Sequence, residues 1–259
     1  SHIESMPVQV LNNASGYLHT SPEYAMKRLL AEGSGDIYQL SHAFRKNELG
    51  RQHNPEFMLI EWYRTNYTWP SFLEEVQALI NLFFQKPLPK EELSYKEAFQ
   101  KYAQIDPFKA TATELAAIAG QKPKAWPKDT LLALILNQLI EPNFPQDRFT
   151  VLTDYPPSQA ALAQITTVDG DRVAKRFEFY LGGVELANGY LELQDAKEQR
   201  QRFLEQNPNN LPLDENFLKA LEKGLPPCLG VAVGFDRLML LRHKKQKLTE
   251  IMPFSWEAL

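Results

Sequence analysis

The chain has 259 residues, of which 44% are hydrophobic and 23% charged, a composition typical of a globular protein with one sizeable core. One cysteine, Cys228, excludes an internal disulfide framework and a cysteine-based zinc cluster. No apolar run approaches the roughly 20 residues of a membrane-spanning helix, and a net charge of −4 is unusual for a dedicated nucleic-acid binder. We therefore expect a cytoplasmic protein that does not associate with membranes.

Helix-start signals recur through the first half of the chain. A hydroxyl, a proline and an acid at Thr20–Glu23 predict a helix start. The pattern of a capping box, a hydroxyl followed three residues later by glutamate, predicts helices that begin at Ser71, Ser94 and Thr111. A strongly apolar helix is predicted over 130–140, ended by Pro142. Residues 68–142 are therefore predicted to form a largely helical insertion.

Strands are predicted on both sides of this insertion. The predicted strands are Asp36–Arg45, Phe57–Arg64, Phe149–Asp154, Arg176–Leu181 and Val184–Leu193. Long antiparallel strands with the helices set apart indicate an α+β fold. We expect an antiparallel sheet flanked by helices.

The Gly182-Gly183 pair predicts a two-residue hairpin turn. This turn places Glu178 on the same face as Glu185, one diagonal step away. Two such carboxylates repel each other unless a cation lies between them, and Mg²⁺ prefers carboxylate oxygens. The alternative is a pair of solvent-facing glutamates. Strict alternation puts Asn188, Tyr190 and Glu192 on the opposite face, so a bulge, predicted at Gly189, is needed to bring both sets together.

The stretch from Gly230 to Arg237, G-V-A-V-G-F-D-R, is predicted to be a glycine-rich turn. Glycines such as Gly234 allow close approach of a nucleotide, and an arginine at Arg237 offers a permanent cation to phosphate. The alternative is the buried start of a helix with one Asp236–Arg237 salt bridge.

Three ordered stretches, Tyr38–Arg64, Arg176–Leu193 and Gly224–Leu241, together resemble motif 2, the amino-acid-binding strands and motif 3 of class II aminoacyl-tRNA synthetases. The lysyl subtype is the most similar. The resemblance covers nearly the whole chain and implies one catalytic domain over 1–259. Motif 1, a dimer-interface element, is not found in the sequence, which begins with Ser1. We expect a longer parent protein that forms a homodimer.

The resemblance implies ATP and Mg²⁺ as the groups to be bound. Arg45 would grip the α-phosphate and the substrate carboxylate, and Arg237 the γ-phosphate. The remaining nucleotide contacts that it implies are Phe57 on adenine, Arg51 and His53 along the triphosphate, Gly234 beside it, and Glu178 and Glu185 as metal ligands. Glu23 and Glu192 would bind amino groups, and the other substrate contacts that it implies are Ser21, Tyr63, Asn188, Tyr190 and Ala232.

Several positions depart from the lysyl pattern. Asn47 stands where motif 2 usually has glutamate, and only a shift would let Glu48 replace it. Ala232 replaces a glycine, and Ser21 replaces a common alanine. The last two changes resemble a truncated lysyl-synthetase subfamily that attaches (R)-β-lysine to elongation factor P. A methyl at Ala232 would disfavour α-lysine, and the Ser21 hydroxyl would meet a displaced amino group.

The resemblance thus implies ATP-dependent activation of (R)-β-lysine or lysine, with elongation factor P as the acceptor and tRNA not expected as a substrate. Two alternatives stay open from the residues. One is a catalytic fragment of a lysyl-tRNA synthetase. The other is a non-catalytic amino-acid-binding module, which Asn47 and the missing motif 1 favour. Arg45, Arg237, Glu178 and Glu185 argue against that last alternative.

Overall fold

A computed structural model describes residues 5–9, 15–122, 126–207 and 211–256. Two compact units divide the chain: a first unit of Ser1–Gln85 with Glu192–Leu259, and a second unit of Lys86–Leu191. Each unit combines helices with a sheet built mainly from antiparallel strands, which confirms the predicted α+β class. The single catalytic domain over 1–259 stays a prediction beside this division.

The strands of the described residues include all five that the sequence predicts, with boundaries shifted by a few residues. They are β1 Pro7–Gln9, β2 Ser15–Tyr17, β3 Ile37–Phe44, β4 Glu56–Thr65, β5 Lys90–Ser94, β6 Phe149–Tyr155, β7 Ile165–Val168, β8 Asp171–Leu181, β9 Val184–Leu191 and β10 Cys228–Gly234. The helices are α1 Glu23–Ala31, α2 Trp69–Asn81, α3 Tyr95–Ala103, α4 Ala112–Ile118, α5 Lys128–Ile135, α6 Ala196–Glu205, α7 Glu215–Gly224 and α8 Phe235–Arg242.

In the first unit β4 is the central strand of an antiparallel set in the order β3-β4-β10. Leu59, Glu61 and Tyr63 alternate along one face of β4 and are buried. Ala232 of β10 lies opposite Glu61, and Gly230 lies opposite Tyr63. One face of this sheet therefore collects residues that the sequence assigns to substrate binding.

The predicted glycine-rich turn at 230–237 is wrong: this stretch is strand β10 running directly into helix α8. The backbone at Gly230 and Gly234 is not left-handed, so neither glycine makes a turn. Gly230 is required by crowding instead, because a Cβ there would overlap the Tyr63 ring and the Glu192 carboxylate. Gly234 occupies the position that precedes α8.

In the second unit β6, β8 and β9 are antiparallel neighbours, β5 pairs with β6 in parallel, and β7 pairs with β8. A cluster of buried apolar residues packs between these strands and α3, α4 and α5. Tyr95 and Phe99 stack in it with ring centroids 4.5 Å apart. The predicted insertion over 68–142 is largely helical, but it also contains β5, and α2 belongs to the first unit.

The capping boxes predicted at Ser94 and Thr111 are confirmed, because each hydroxyl accepts from the backbone N–H of the glutamate three residues on and that glutamate reaches back. The capping box predicted at Ser71 is wrong. Helix α2 begins at Trp69, and the Thr68 hydroxyl caps it by accepting from the Ser71 N–H. The helix predicted over 130–140 is confirmed as α5 continued by a π-helical turn at Leu136–Ile140. Within the described residues, no helix is long and apolar enough to cross a membrane.

Candidate active site

Helix α1 brings Ser21 and Glu23 to the face of β4. The Ser21 hydroxyl accepts from the Glu23 backbone N–H at 3.0 Å and donates to Glu61 Oε2 at 2.7 Å. Pro22 precedes the first helical residue, Glu23. The Ser21 hydroxyl therefore joins the start of the helix to a buried carboxyl group of the sheet.

The Glu23 and Glu192 carboxylates share one cation, Lys27, which the sequence does not single out. Lys27 Nζ lies 2.6 Å from Glu23 Oε1 and forms a close ion pair with Glu192. Both the Lys27 and the Glu192 side chains are 1% exposed. Burial opposes a charged lysine, but the Glu192 and Glu23 carboxylates outweigh it and raise the pKa of Lys27. The two glutamates assigned to substrate amino groups are thus held together by an ammonium of the protein itself.

Glu61 and Tyr63 complete this cluster from β4. The Tyr63 hydroxyl donates to Glu61 Oε1 at 3.4 Å. Burial, followed by repulsion from Glu23, raises the pKa of Glu61 to about 8. Burial also raises the pKa of Tyr63 well above its ordinary value. Glu61 is therefore mostly protonated at neutral pH, and the cluster carries fewer negative charges than its carboxyl groups would suggest.

The loop between β3 and β4 holds Arg45 and its partners. The Arg45 guanidinium lies over the Phe57 ring, 4.9 Å from its centroid, and Arg45 Nη1 is 3.7 Å from Glu48 Oε2. Asn47 has a φ of 64°, a left-handed conformation that asparagine adopts more readily than glutamate. Glu48 thus supplies an acidic partner to Arg45, and the backbone conformation gives a reason for asparagine at position 47.

His53 and Arg237 are distant in the sequence but form a hydrogen bond in the first unit. Arg237 Nη2 donates to His53 Nε2 at 2.9 Å, and burial followed by the Arg237 charge lowers the pKa of His53. The neighbouring Asp236 accepts from the Met58 N–H at 2.7 Å, which fixes the start of α8 on β4. Arg51 is exposed, and its carbonyl accepts from the Leu248 N–H at 2.9 Å.

In the second unit, the hairpin between β8 and β9 has the predicted turn and register at its tip. Leu181 pairs with Val184 and Tyr180 with Glu185, and both turn glycines have positive φ. The register then shifts, so that Phe179 pairs with Ala187 and Leu186 is the additional residue.

A bulge is therefore present, as the sequence requires, but its prediction at Gly189 is wrong. The bulge at Leu186 puts Asn188 opposite Glu178 and Tyr190 opposite Arg176. Asn188 Nδ2 donates to Glu178 Oε1 at 3.0 Å. Glu178, Glu185, Asn188 and Tyr190 consequently share one face, the arrangement that the resemblance implies.

The Glu178 carboxylate is surrounded by donors. Tyr155 donates to Oε2 at 2.6 Å, the Tyr180 hydroxyl makes a close contact with the same oxygen, and Arg176 pairs closely with Oε1 beside Asn188. The Arg176 guanidinium lies 4.6 Å from the Tyr155 ring centroid and 5.9 Å from that of Tyr190. Four donors match the four acceptor sites that a carboxylate offers.

The comparisons with known proteins agree with these motifs. A family model described as tRNA synthetases class II (D, K and N) matches residues 5–258. The chain belongs to this family. Curated relatives named elongation factor P--(R)-beta-lysine ligase, from Salmonella dublin, Salmonella paratyphi B and Salmonella enteritidis PT4, are each 44% identical over 252 residues. The match spans 92% of this chain and 77% of each relative, so the resemblance to both the class II synthetases and that subfamily is confirmed.

Enzymes of this class generally use ATP and Mg²⁺. The carboxylate oxygens of the second unit are the candidate ligands for the ion. Within the described residues, no group of three or more His, Cys, Asp or Glu side chains is arranged to hold a metal. Burial, followed by repulsion from Glu178 and Glu185, nevertheless raises the pKa of Glu141 to about 7. These oxygen donors fit Mg²⁺ chemically. Glu178 would have to release a hydrogen bond to join the ion as a ligand.

Five supporting residues are not predicted from the sequence: Lys27 in the first unit, and Glu141, Tyr155, Arg176 and Tyr180 in the second. A charged residue four positions after Glu23 on the same helix face is the signal for Lys27. Arg176 and Tyr180 share the face of Glu178 by strand alternation, which a register argument extended beyond the carboxylates would have found. Glu141 and Tyr155 lie far away in the sequence, and nothing local marks them.

Proposed function

We propose that this chain activates (R)-β-lysine with ATP and transfers it to a lysine side chain of elongation factor P. The observation that carries the proposal is the pair of carboxyl groups, Glu23 and Glu192, that meet at the buried Lys27 beside Glu61, an arrangement suited to a substrate with more than one amino group. The names of the relatives, at 44% identity over most of the chain, support (R)-β-lysine as the amino acid and elongation factor P as the acceptor.

The proposed reaction has two steps. The substrate carboxylate attacks the α-phosphorus of ATP, the bond to the β-phosphate oxygen breaks, and pyrophosphate leaves an aminoacyl-adenylate. The neutral amine of the acceptor lysine then attacks the acyl carbon, an amide forms, and AMP leaves as a proton is lost from the amine. No protein nucleophile is needed, so the chain's contribution is positioning and charge neutralisation.

In this proposal, arginines bind the phosphate groups of ATP. Arg45 would bind the α-phosphate together with the substrate carboxylate, and Arg237 the γ-phosphate, with Arg51, His53 and Gly234 beside the triphosphate. Adenine would stack on Phe57, a surface that the Arg45 guanidinium now covers at 4.9 Å. Nucleotide binding would therefore move Arg45 from the ring to the phosphate. Mg²⁺, held through Glu185 and Glu178, would neutralise charge on the phosphate oxygens.

The amine subsite would use Glu23 and Glu192, with Tyr63, Asn188 and Tyr190 as further substrate contacts. Ser21 and Ala232 would set the choice of amino acid. Ala232 lies opposite Glu61 in the sheet, so its methyl group borders the buried carboxyl to which Ser21 donates. Since a single carbon in a pocket is worth roughly 10–200-fold in discrimination, Ala232→Gly should raise the rate with α-lysine relative to (R)-β-lysine.

The protein is proposed to be a homodimer that acts in the cytoplasm, where ATP and the translation factor are found. tRNA is not proposed as the acceptor, because the chain is acidic overall. The first test is ATP–pyrophosphate exchange with (R)-β-lysine, with α-lysine and with no amino acid. The second offers labelled (R)-β-lysine to elongation factor P and to tRNA-Lys.

Amino-acid-dependent exchange and labelled elongation factor P support the proposal. Charging of tRNA-Lys without labelling of the factor would instead favour a lysyl-tRNA synthetase fragment. Binding of the amino acid without exchange would indicate a non-catalytic module. An Arg45→Ala variant, expected to lose exchange, controls for a contaminating synthetase.

A further inference from the structure

Lys27 is the cation around which the amine cluster is built, and no step of the proposed reaction uses it. Its side chain is 1% exposed, although lysine is rarely buried fully. Glu23 lies one turn earlier on α1, while Glu192 is distant from Lys27 in the sequence. The ion pairs therefore tie a helix to a distant segment at the place assigned to the substrate amino groups.

Several titratable groups face Lys27 from every element around it. Three of them are carboxyl groups, and the others are two tyrosines and a cysteine that burial keeps neutral. The groups are Glu23 and Tyr24 of α1, Glu61 and Tyr63 of β4, Cys228 of β10, and Glu192. One ammonium thus faces three carboxyl groups in a buried space.

We propose that Lys27 is a positioning residue for the substrate amine: its ammonium favours the ionised form of Glu192 and holds Glu23 and Glu192 at the position where a diammonium amino acid binds. This inference rests on the proposed function, which supplies the substrate class. Lys27 does not contact the reacting carboxylate or phosphate in this role. It acts through the two carboxylates that it holds.

The physical reason is the cost of buried charge. Burial raises the pKa of Glu192 to about 8 even beside Lys27, whose charge opposes that rise. Without Lys27, burial and repulsion from Glu23 and Glu61 would raise the pKa of Glu192 further. A protonated carboxyl group is a poor acceptor for an ammonium ion. Simple attraction would predict tighter binding of a dication once a positive charge is removed, but only if the carboxylates stayed ionised. Whether removal of Lys27 weakens or strengthens binding of the dication therefore depends on the protonation of the carboxyl groups.

Lys27→Gln tests the proposal, because glutamine keeps two N–H donors but carries no charge. The measurement is kcat and KM for (R)-β-lysine in ATP–pyrophosphate exchange from about pH 6 to 8.5. We expect KM to rise at least about tenfold near pH 6.5 and to return to within about threefold at pH 8.5, with kcat little changed, because each unit of carboxylate pKa is a factor of ten. Lys27→Arg, which keeps the charge, should retain most of the wild-type pH profile.

The matched control is Lys175→Gln, which removes a different lysine ion pair, that with Asp154 at 2.8 Å in the second unit. It should leave the pH profile of KM unchanged. A Lys27→Gln protein that is less stable but has wild-type KM at every pH would overturn the proposal and make Lys27 a structural ion-pair residue. Tighter binding of (R)-β-lysine at low pH would overturn it as well.

Two further measurements separate this inference from the function on which it rests. If wild type shows no exchange, the proposed function fails, and calorimetric binding of (R)-β-lysine over the same pH range still tests Lys27. If Lys27→Gln does not fold, Lys27→Arg carries the test, because the inference requires a variant that keeps the charge to keep the pH dependence of KM. A folded Lys27→Arg protein whose KM rises at least about tenfold over wild type at pH 6.5 and not at pH 8.5 would overturn the inference.

Discussion

Glu178 and Glu185 are two glutamates on one face of the same hairpin, but their surroundings differ. Glu178 is 5% exposed and accepts hydrogen bonds from Arg176, Asn188 and two tyrosines. Glu185 lies opposite Tyr180 and acts on Glu141 through its charge. Glu178 is thus an anchor for buried donors, while Glu185 remains the proposed Mg²⁺ ligand.

Glu178→Gln is therefore expected to destabilise the protein, and Glu185→Gln is not. The first change leaves the buried Arg176 without its carboxylate and should lower the free energy of unfolding by about 3 kcal/mol or more. The second should change it by only about 0.5 kcal/mol while removing most Mg²⁺-dependent exchange. Urea denaturation of both variants, with Mg²⁺ titrations of the exchange rate, checks this. Equal stability of the two variants would contradict the anchoring role of Glu178.

Arg237 allows a second comparison at the residue scale. Arg237→Ala should raise the KM for ATP at least about tenfold, the effect of losing a charge-assisted contact. It should also raise the pKa of His53 towards its ordinary value, because burial remains but the adjacent cation is gone. A steady-state ATP titration and an NMR titration of His53 measure the two effects. Arg242→Ala, an exposed arginine at the end of the same helix, is the control and should change neither.

Motif spacing predicts which residue types occupy the site but not their supports. Glu23 and Glu192 were assigned to substrate amino groups on the resemblance alone, whereas their joint contact with Lys27 depends on folding. Asn47 is a departure from the family pattern in sequence, and its φ of 64° explains why asparagine suits that position. The contact with Lys27 depends on burial, and the suitability of Asn47 depends on backbone conformation. Neither can be deduced from the spacing of residues.

Among the elements, the hairpin of β8 and β9 shows how far a register argument extends. The Gly182-Gly183 turn fixes the pairing at the tip, and that part of the prediction is confirmed. Alternation also showed that a bulge was needed to place Asn188 and Tyr190. Its position could not be predicted from Gly189, because a bulge with ordinary backbone angles does not require glycine, and Leu186 adopts it.

The two turn glycines are not equivalent, which leads to a matched pair of substitutions. Both have positive φ, at 55° for Gly182 and 79° for Gly183. A Cβ at Gly182 would meet the Gln146 side chain, which can move, but a Cβ at Gly183 would lie 2.8 Å from the Glu141 carbonyl oxygen. We expect Gly182→Ala to cost about 1 kcal/mol and Gly183→Ala about 2–3 kcal/mol.

Urea denaturation measures the cost of each glycine substitution, and the exchange rate reports displacement of Glu185, two residues from Gly183. Gly183→Ala should lower the exchange rate more than Gly182→Ala does. Similar costs for the two variants would mean that the backbone of Glu141 yields to the added methyl group. The strain of a left-handed alanine would then be the whole effect.

Helix starts are predicted correctly where the predicted hydroxyl caps its own first turn. They are predicted less well where a neighbouring residue supplies the cap or the hydroxyl contacts another element. Ser94 and Thr111 satisfy their own first-turn glutamates, and both boxes are confirmed. Ser71 carries the same pattern, yet Thr68 caps α2 because Trp69 and Pro70 already fit the first turn. Ser21 donates to Glu61 of β4, a contact that a helix-start pattern does not contain.

At the scale of the whole molecule, the fold class followed from alternation and turn signals, while the cluster around Lys27 is a product of long-range contacts. Its members come from α1, β4, β10 and the segment after β9. β10 was missed because its glycines suggested a turn, although Gly230 serves to make room for Glu192 and Tyr63. Such close approaches are fixed only when distant segments pack.

This packing gives the molecule a dependence on pH that can be tested through Glu61. Its pKa is about 8 in the folded protein and 4.5 ordinarily, with burial as the main cause and Glu23 next. Between these two values the folded state holds a proton that the unfolded chain has released. The contribution of Glu61 to the free energy of unfolding therefore falls as pH rises from about 4.5 to 8, by at most about 1.4 kcal/mol per pH unit.

Glu61→Gln removes this titration and keeps an amide that can hydrogen-bond with Ser21 and Tyr63. We expect the variant to gain stability relative to wild type as the pH rises from about 5 to 8, and to differ little from it near pH 4.5, where both forms are neutral. Urea denaturation at about pH 5, 6.5 and 8 measures the difference. The exposed Glu74→Gln is the control and should give a difference that does not change with pH. A constant difference between Glu61→Gln and wild type would mean that Glu61 is ionised in the folded protein, with Lys27 and Ser21 compensating its burial.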